Sequence, residues 1–258
     1  MAAWRSGYSW LWFCHDWKKS QVFIARLTCG PGWGFNNAEA YMANIDFAAL
    51  LCSRLCHDLV SPVGAINNGL EVLQDEQEAS MREAVLDLIE KSTHQTSNKL
   101  QFFRLAFGAA GGFSAQLDVR ECEKAMRSFL SGSRVELDWQ IDLTSAPKSL
   151  VKILLNVGLV VSESLIRGGK LRISTQRSGD EVTVLVVGEG QRVILQKPVR
   201  DAMEGVLAEE DLDPRAAPAF LAHSVAKETG GKIVVEALGE TNIVVKATCV
   251  LPAKTGGE

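Results

Sequence analysis

A histidine next to an acid is the pair in this sequence best suited to chemistry. His57 and Asp58 lie in "CSRLCHDLVSPVGAINNGLE", residues 52–71. A neutral imidazole keeps one lone pair free near pH 7, and it can attack phosphorus when an acceptor holds the proton on its other nitrogen. Asp58 is placed to accept that proton, and Pro62 removes the amide that would bond to the Asp58 carbonyl. The pair therefore suggests proton or phosphoryl chemistry, in which His57 would be the catalytic residue and Asp58 would orient its ring.

The helical position of His57 predicts an exposed ring. Each helical residue turns by about 100°, so His57 lies about 200° from both Leu55 and Leu59 on the predicted apolar stripe. Its outward neighbours are small or apolar, whereas an ordinary solvated face would carry Lys and Glu. An ordinary surface histidine is the alternative interpretation. The outward residues are Leu50, Ser53, Val60, Ser61, Gly64 and Asn68.

Several residues near His57 are candidates for contacting the phosphoryl group or the protein that carries it. Arg54 lies one turn before His57 and about 60° round the helix. Its planar guanidinium could bind phosphoryl oxygens, although a solvated surface arginine is an equal alternative. Gly64 has no side chain and would let a partner approach the helix. Val60 and Leu50 would give apolar contact, and Ser61 and Asn68 complete the candidate set.

Two helical runs position this face. Apolar residues recur at steps of three and four from Asp46, a candidate N-cap, to Leu73, and again from Leu86 to Phe107. A short polar segment separates the runs, which predicts an antiparallel hairpin. One hairpin cannot bury such wide apolar faces alone. We therefore expect homodimerisation into a four-helix bundle.

The pattern changes to mixed helices and strands after Gly112. We predict a layered α/β sandwich rather than a Rossmann sheet, because strands occur as neighbouring pairs with turn signals between them. The fold class is thus α+β, with three regions: residues 1–41 as a disordered or mis-assigned N-terminal extension, 42–112 as the hairpin, and 113–258 as the α/β domain. The predicted helices are 117–130, 147–166 and 215–229, and the predicted strands are 134–141, 170–177, 181–187, 232–238 and 241–250.

The composition argues against several classes of function. A formal charge of -4 and a pI of about 5.7 offer no basic surface for nucleic acid. No run approaches the roughly 20 apolar residues that cross a membrane. The six cysteines form no CxxC pair, which favours a reducing cytoplasm over a zinc or disulfide framework. Cys52 and Cys56 are predicted to face the core while His57 faces out, so we expect no metal site there.

The segment "CHDLVSP" resembles the H-box of histidine kinases, which lies on the first helix of a dimerising hairpin. Residues 113–258 resemble, in order and length, their Bergerat-type ATP-binding domain. More narrowly, residues 42–252 resemble the ChpT-type histidine phosphotransferases of the alphaproteobacterial cell-cycle phosphorelay.

The nucleotide motifs of the kinases are degenerate in this sequence. "ILLNVGLVVSES" keeps Asn156 but has Val160 where a second asparagine would stand, and "GEGQR" has Gly188 in place of the adenine-reading acid and Arg192 in place of a glycine. The glycine-rich lid is replaced by "PRAAPA", with Ala216 and Pro218 at glycine positions. Valine cannot ligate magnesium, and proline has no amide to offer a phosphate. We expect no ATP use.

The resemblance implies a cytoplasmic phosphoprotein that relays a phosphoryl group between receiver domains through phospho-His57, in cell-cycle regulation. It implies as partners the receiver of a CckA-type hybrid histidine kinase and response regulators of CtrA and CpdR type. No cofactor of its own is expected, and magnesium would come from the partner receiver. Two alternatives stay open: a divergent ATP-dependent histidine kinase, and a non-enzymatic dimeric scaffold.

Overall fold

Six helices and seven strands make up the described part of the chain. The structure is a computed structural model that describes residues 35–108 and 116–251, with side chains from residue 45 onward. In chain order the elements are α1 (Phe35–Asp75), α2 (Ala79–Ala106), β1 (Gln116–Asp118), α3 (Val119–Leu130), β2 (Val135–Gln140), β3 (Ser145–Pro147), α4 (Lys148–Ser164), β4 (Gly169–Ser178), β5 (Glu181–Gly190), α5 (Lys197–Glu204), α6 (Ala217–Glu228), β6 (Ile233–Leu238) and β7 (Asn242–Val250).

Helices α1 and α2 form the predicted hairpin. A three-residue connection separates them, and Gly69 brings the two helices close, since a Cβ there would lie 2.7 Å from Ile89 Cγ1. The predicted start at Asp46 is wrong, because α1 already begins at Phe35 and Asp46 lies inside it. Of the predicted N-terminal extension, residues 1–34 lie outside the described residues.

The α/β region is a five-stranded sheet covered by helices. The strand order is β2-β4-β5-β7-β6, with β2 parallel to β4 and all other pairs antiparallel. Residues of β5 and β7 alternate between buried and half-buried, so one face of the sheet packs on the core. Helix α4 is buried along most of its length and packs against β5 and α6. The α+β architecture predicted from the sequence is confirmed.

Three elements were not predicted. Strands β1 and β3 pair as a separate two-stranded sheet, and each is only three residues long, too short for a periodic signal. Helix α5 lies in a segment rich in glycine and acidic residues. Its first turn contains Pro198, a position at which helices tolerate proline. The helices and strands predicted after Gly112 agree with the structure to within three residues at each end, whereas α2 begins at Ala79, seven residues before the predicted run from Leu86.

All interactions discussed below lie within the unit Phe47–Glu258. Phe47, Leu51 and Leu55 on α1 pack against its hydrophobic core. Within the described residues, the segment Ile45–Asp75 is one helix that is long and apolar enough, by length and composition alone, to cross a membrane. That test is weak for a single helix that also contributes side chains to a core.

Candidate functional site

His57 is displayed on the surface of α1, as the helical geometry predicted. Its side chain is 72% exposed, and its Nδ1 lies 3.4 Å from Asp58 Oδ1. The opposite nitrogen, Nε2, is therefore the one left for chemistry when Nδ1 carries a proton. An exposed ring with one nitrogen held by an acid can act as a nucleophile or as a carrier of a transferred group.

Asp58 contacts His57 with one carboxylate oxygen and Arg54 with the other. Its side chain is 14% exposed, and its Oδ2 accepts hydrogen bonds from both Nε and Nη2 of Arg54, each 3.2 Å long. Arg54 and Asp58 are one helical turn apart, the spacing at which helix side chains meet. The guanidinium therefore holds the carboxylate, and the carboxylate in turn lies beside the imidazole.

Arg54 differs from the sequence prediction. The sequence predicts either a contact to the phosphoryl group or a solvated surface arginine, but Arg54 is buried, with 5% of its surface exposed. Val160 and Glu163 of α4 line the same cleft as Arg54. There Arg54 Nη2 also donates a hydrogen bond to Glu163 Oε1. The charges of Glu163 and Asp58 raise the pKa of Arg54 and outweigh the opposing effect of its burial.

Glu163 was missed by the sequence analysis. It lies near the end of α4, 109 residues from Arg54 in the chain, and no local pattern links the two. Burial raises the pKa of Glu163 above its ordinary value, while Arg54 acts in the opposite direction. A charged residue in the helix "LLNVGLVVSES", which is otherwise apolar or small, was the one available signal that an oppositely charged partner faces it.

Lys99 on α2 compensates for Pro62. A proline at position 62 cannot donate to the Asp58 carbonyl, yet α1 continues through it without interruption. The Lys99 ammonium donates a 2.8 Å hydrogen bond to that carbonyl oxygen. Asp58 is thus held at its carboxylate by Arg54 and at its backbone by Lys99, from two different helices.

A cleft of about 280 Å³ opens beside these residues. Its polar lining includes Arg54, His57, Asp58, Glu163 and Arg215. Its apolar wall includes Val160, Ile166, Ile194, Leu195 and Val199. The face of α1 that carries His57 and the α/β region therefore share one concave surface.

The remaining predicted contact residues extend along α1 from His57. Val60 is 69% exposed, and Ser61 and Asn68 are also exposed. Gly64 is half-buried, yet a Cβ there would have none of the described heavy atoms within 4 Å. Leu50 is half-buried. Space for an approaching protein therefore exists at Gly64 and beside Val60.

Several residues at the positions of the kinase nucleotide motifs lie in the core. Asn156 is fully buried, and its Nδ2 donates to the carbonyls of Ala106 at the end of α2 and of Lys152. Its Oδ1 has no hydrogen-bond partner among the described residues. A side chain at Gly188 would meet Val161 and Ile243, each at 2.8 Å from its Cβ. Pro218 is buried in α6.

Among the residues that the structure describes, neither the cysteines nor the other histidines form a second site. Cys52 and Cys56 are exposed in the single chain, so the prediction that they face the core is wrong. The residues with described positions contain no group of three or more His, Cys, Asp or Glu side chains able to hold a metal ion. His94 is exposed beside Glu90, and His223 Nδ1 lies 3.2 Å from the Met203 carbonyl.

Comparison with known proteins assigns the family. Residues 119–241 match the family model "Histidine phosphotransferase C-terminal domain". The protein phosphotransferase ChpT of Brucella abortus (strain 2308) is 34% identical over 199 residues, which is 77% of this chain and 94% of that relative. The chain belongs to the ChpT family of histidine phosphotransferases.

One solved structure supports membership of the ChpT family. The structure of a bacterial phosphotransferase superposes with a TM-score of 0.70 at 33% identity, covering 79% of this chain and 96% of that one. The Acinetobacter baumannii histidine kinase AdeS also matches, at 12% identity over 76% of this chain and 98% of its own, with a TM-score of 0.40. The chain is a histidine phosphotransferase of mixed α and β structure.

Proposed function

We propose that this histidine phosphotransferase relays a phosphoryl group from one receiver domain to another through His57. The observation that carries the proposal is the 72% exposed imidazole whose Nδ1 lies 3.4 Å from an acid held by Arg54. A carrier must reach two different proteins in turn, so its acceptor atom has to be displayed rather than enclosed. His57 meets that requirement.

The transfer step uses the two nitrogens of His57 differently. Nε2 attacks the phosphorus of an aspartyl phosphate on the donor receiver, an N–P bond forms, and the P–O bond to the aspartyl carboxyl breaks. The leaving carboxylate keeps the electron pair. The proton on Nδ1 stays on the ring, where Asp58 stabilises the positive charge that the ring gains. In the second step an aspartate of the acceptor receiver attacks the same phosphorus, and the N–P electrons return to Nε2.

Magnesium is expected in the acidic pocket of the partner receiver, and this chain supplies the nucleophile and the docking face. From the family resemblance we expect the donor to be the receiver of a CckA-type hybrid kinase and the acceptors to be response regulators of CtrA and CpdR type, in the cytoplasm. His57, Gly64 and Val60 would contact the receiver, and the cleft wall on the α/β region would give it a second surface.

Homodimerisation is the second part of the proposal. Four apolar side chains of the hairpin are 39–54% exposed: Val63 and Leu70 on α1, and Leu86 and Leu100 on α2. None of the four belongs to the hydrophobic core formed by the described residues. A second copy of the hairpin would cover them in a four-helix bundle. Leu86→Glu should therefore give a monomer in light scattering, whereas Val206→Glu, at a 70% exposed residue outside the hairpin, should stay dimeric.

Independence from ATP is the third part. Val160 offers no ligand to a metal, the space at Gly188 excludes an acid, and Asn156 uses its amide inside the core. The test is incubation of the isolated protein with labelled ATP. Uptake of label by the wild type would favour the divergent kinase over the carrier.

The relay itself is tested with a receiver domain labelled by radioactive acetyl phosphate. Label should move to this chain in an acid-labile, base-stable form and should be absent from His57→Gln. His94→Gln is the matched control, because His94 is also an exposed histidine near an acid, with 74% of its side chain accessible. Equal labelling of His57→Gln and wild type would contradict the proposal, and intact signalling by His57→Gln would favour the scaffold.

Docking at Gly64 gives a separate test. Gly64→Leu should leave the unfolding temperature close to that of the wild type, because nothing among the described residues occupies the space beyond its Cα. It should slow phosphoryl transfer, since the leucine would stand where the receiver approaches. Unchanged transfer would show that receivers do not approach α1 on this side.

A further inference from the structure

We propose that Glu163 is a positioning residue for phosphoryl transfer, which acts through Arg54 and Asp58 to determine which nitrogen of His57 receives the phosphoryl group. The inference rests on the proposed function of His57 as the acceptor. It assigns a task to a residue of α4, outside the hairpin that carries the histidine.

Three successive contacts connect Glu163 to His57. Glu163 Oε1 accepts a hydrogen bond from Arg54 Nη2. The same Nη2, together with Nε, donates to Asp58 Oδ2, at 3.2 Å from each nitrogen. Asp58 Oδ1 then lies 3.4 Å from His57 Nδ1.

Arg54 needs both acids to stay in this position. Its guanidinium is buried, so water cannot replace a lost partner fully. With Glu163 present, one carboxylate anchors the planar group from α4 and leaves its other edge facing Asp58. Without Glu163 the guanidinium loses its hydrogen bond to α4. The Asp58 carboxylate is then free to rotate about its terminal torsion, which has only a weak intrinsic preference.

The position of the Asp58 carboxylate decides the tautomer of His57. With Oδ1 beside Nδ1, the proton is held on Nδ1 and Nε2 keeps its lone pair. When the carboxylate rotates away, the proton is free to move to Nε2, and the fraction of rings with the reactive lone pair on the exposed side falls. A loss of positioning should therefore slow the chemistry without removing the nucleophile.

The location of Glu163 gives α4 a use beyond packing. Glu163 lies one turn after Val160, the position at which kinase-like sequences carry the second asparagine. The turn that no longer offers a magnesium ligand instead offers a carboxylate to the phospho-accepting helix.

The test combines transfer kinetics with nitrogen NMR on the full chain. Glu163→Gln should slow single-turnover transfer from a phosphorylated receiver about tenfold, which is less than the roughly 10²–10⁴-fold contribution of a general acid or base itself, because Glu163 acts through two other residues. Glu123→Gln is the matched control, because Glu123 also pairs with an arginine, Arg127, but does not line the cleft. It should transfer at the wild-type rate. In ¹⁵N-histidine spectra, the wild type should show the Nδ1–H tautomer of His57, and Glu163→Gln should shift it toward Nε2–H.

A double-mutant cycle separates positioning from a general structural effect. In an Asp58→Asn background, adding Glu163→Gln should change the rate by less than about twofold, because the pathway is already interrupted. Equal slowing in both backgrounds, wild-type kinetics of Glu163→Gln, or a wild-type ring that is predominantly Nε2–H would each overturn the proposal. If Glu163→Gln does not fold, the wild-type tautomer still decides, and Glu163→Asp, which withdraws the carboxylate by one methylene, should slow transfer in the same way. A wild type that accepts no phosphoryl group would refute the proposed function, while the NMR measurement would still test the positioning.

Discussion

Replacing Arg54 by methionine should destabilise the protein by about 3 kcal/mol. The substitution keeps an unbranched side chain of similar length but removes the charge shared by Asp58 and Glu163. Hydrogen bonds to charged groups contribute about 1.5–3 kcal/mol, and removing one member of a buried ion pair costs about 3–5 kcal/mol. Asp58 and Glu163 are 14% and 44% exposed at their side chains, so water compensates in part and the lower end applies. The unfolding temperature should fall by about 6–12 °C.

The assay is urea unfolding followed by circular dichroism at several pH values. Burial raises the pKa of Glu163, so this carboxylate takes up a proton at a higher pH than an ordinary glutamate as the pH falls from 7. In the wild type Arg54 neutralises the charges of Asp58 and Glu163, and in the variant both charges are uncompensated. Protonation of Glu163 removes one of these two charges in either protein. The difference in the free energy of unfolding between wild type and variant should therefore shrink as the pH falls.

Arg127→Met is the control for the Arg54 experiment. Arg127 pairs with Glu123 one turn away, as Arg54 pairs with Asp58, but its side chain is 50% exposed. The cost should be at most about 1 kcal/mol, as for other surface ion pairs. An Arg54→Met variant that unfolds at the wild-type urea midpoint at pH 7, or a difference that does not change with pH, would refute the reasoning.

Three further predictions concern the core. Gly188→Asp, which restores the kinase acid, should lower the unfolding temperature and produce no nucleotide binding in calorimetry, because its Cβ would lie 2.8 Å from Val161 Cγ1; binding would contradict the assignment of that space to packing. Asn156→Ala should cost about 2 kcal/mol in urea unfolding, because the carbonyls of Ala106, which is buried, and of Lys152, which is half-buried, each lose a side-chain donor. A neutral result would show that the unpaired oxygen of Asn156 offsets both bonds. Burial raises the pKa of Cys122 to about 12 and that of Cys249 to about 11. Neither thiol should therefore react with iodoacetamide at pH 8 until the protein is unfolded, as measured by peptide mass spectrometry. Labelling of the native protein would show that these thiols become exposed to solvent.

The sequence predicted those features that depend on local periodicity. The hairpin, the succession of strands and helices after Gly112 and the outward direction of His57 each follow from spacing along one element. The predicted helix start at Asp46 is wrong because it relied on the capping preference of aspartate, whereas α1 begins at Phe35. Capping preference describes one residue, whereas the start of a helix also depends on the chain before it.

The contacts around Asp58 could not be predicted, because they join distant parts of the chain. Arg54 meets Glu163 across 109 residues, and Lys99 meets the Asp58 carbonyl across 41. A helical wheel gives the direction in which the Arg54 side chain projects from α1, but it does not identify the residue that this side chain contacts. Pro62 did indicate that the Asp58 carbonyl lacks its helical donor. Lys99 on the facing helix is the cation that bonds to that carbonyl.

The hydrogen bond from Lys99 to the Asp58 carbonyl makes the order of the turn that carries His57 a property of two helices rather than one. A synthetic peptide with the sequence of α1 would contain the histidine, the acid and the proline, but it would fray at this turn. A peptide that reproduces this site consequently has to include the second helix. Acylation of the Lys99 amine would remove the hydrogen bond and destabilise the turn without modifying His57.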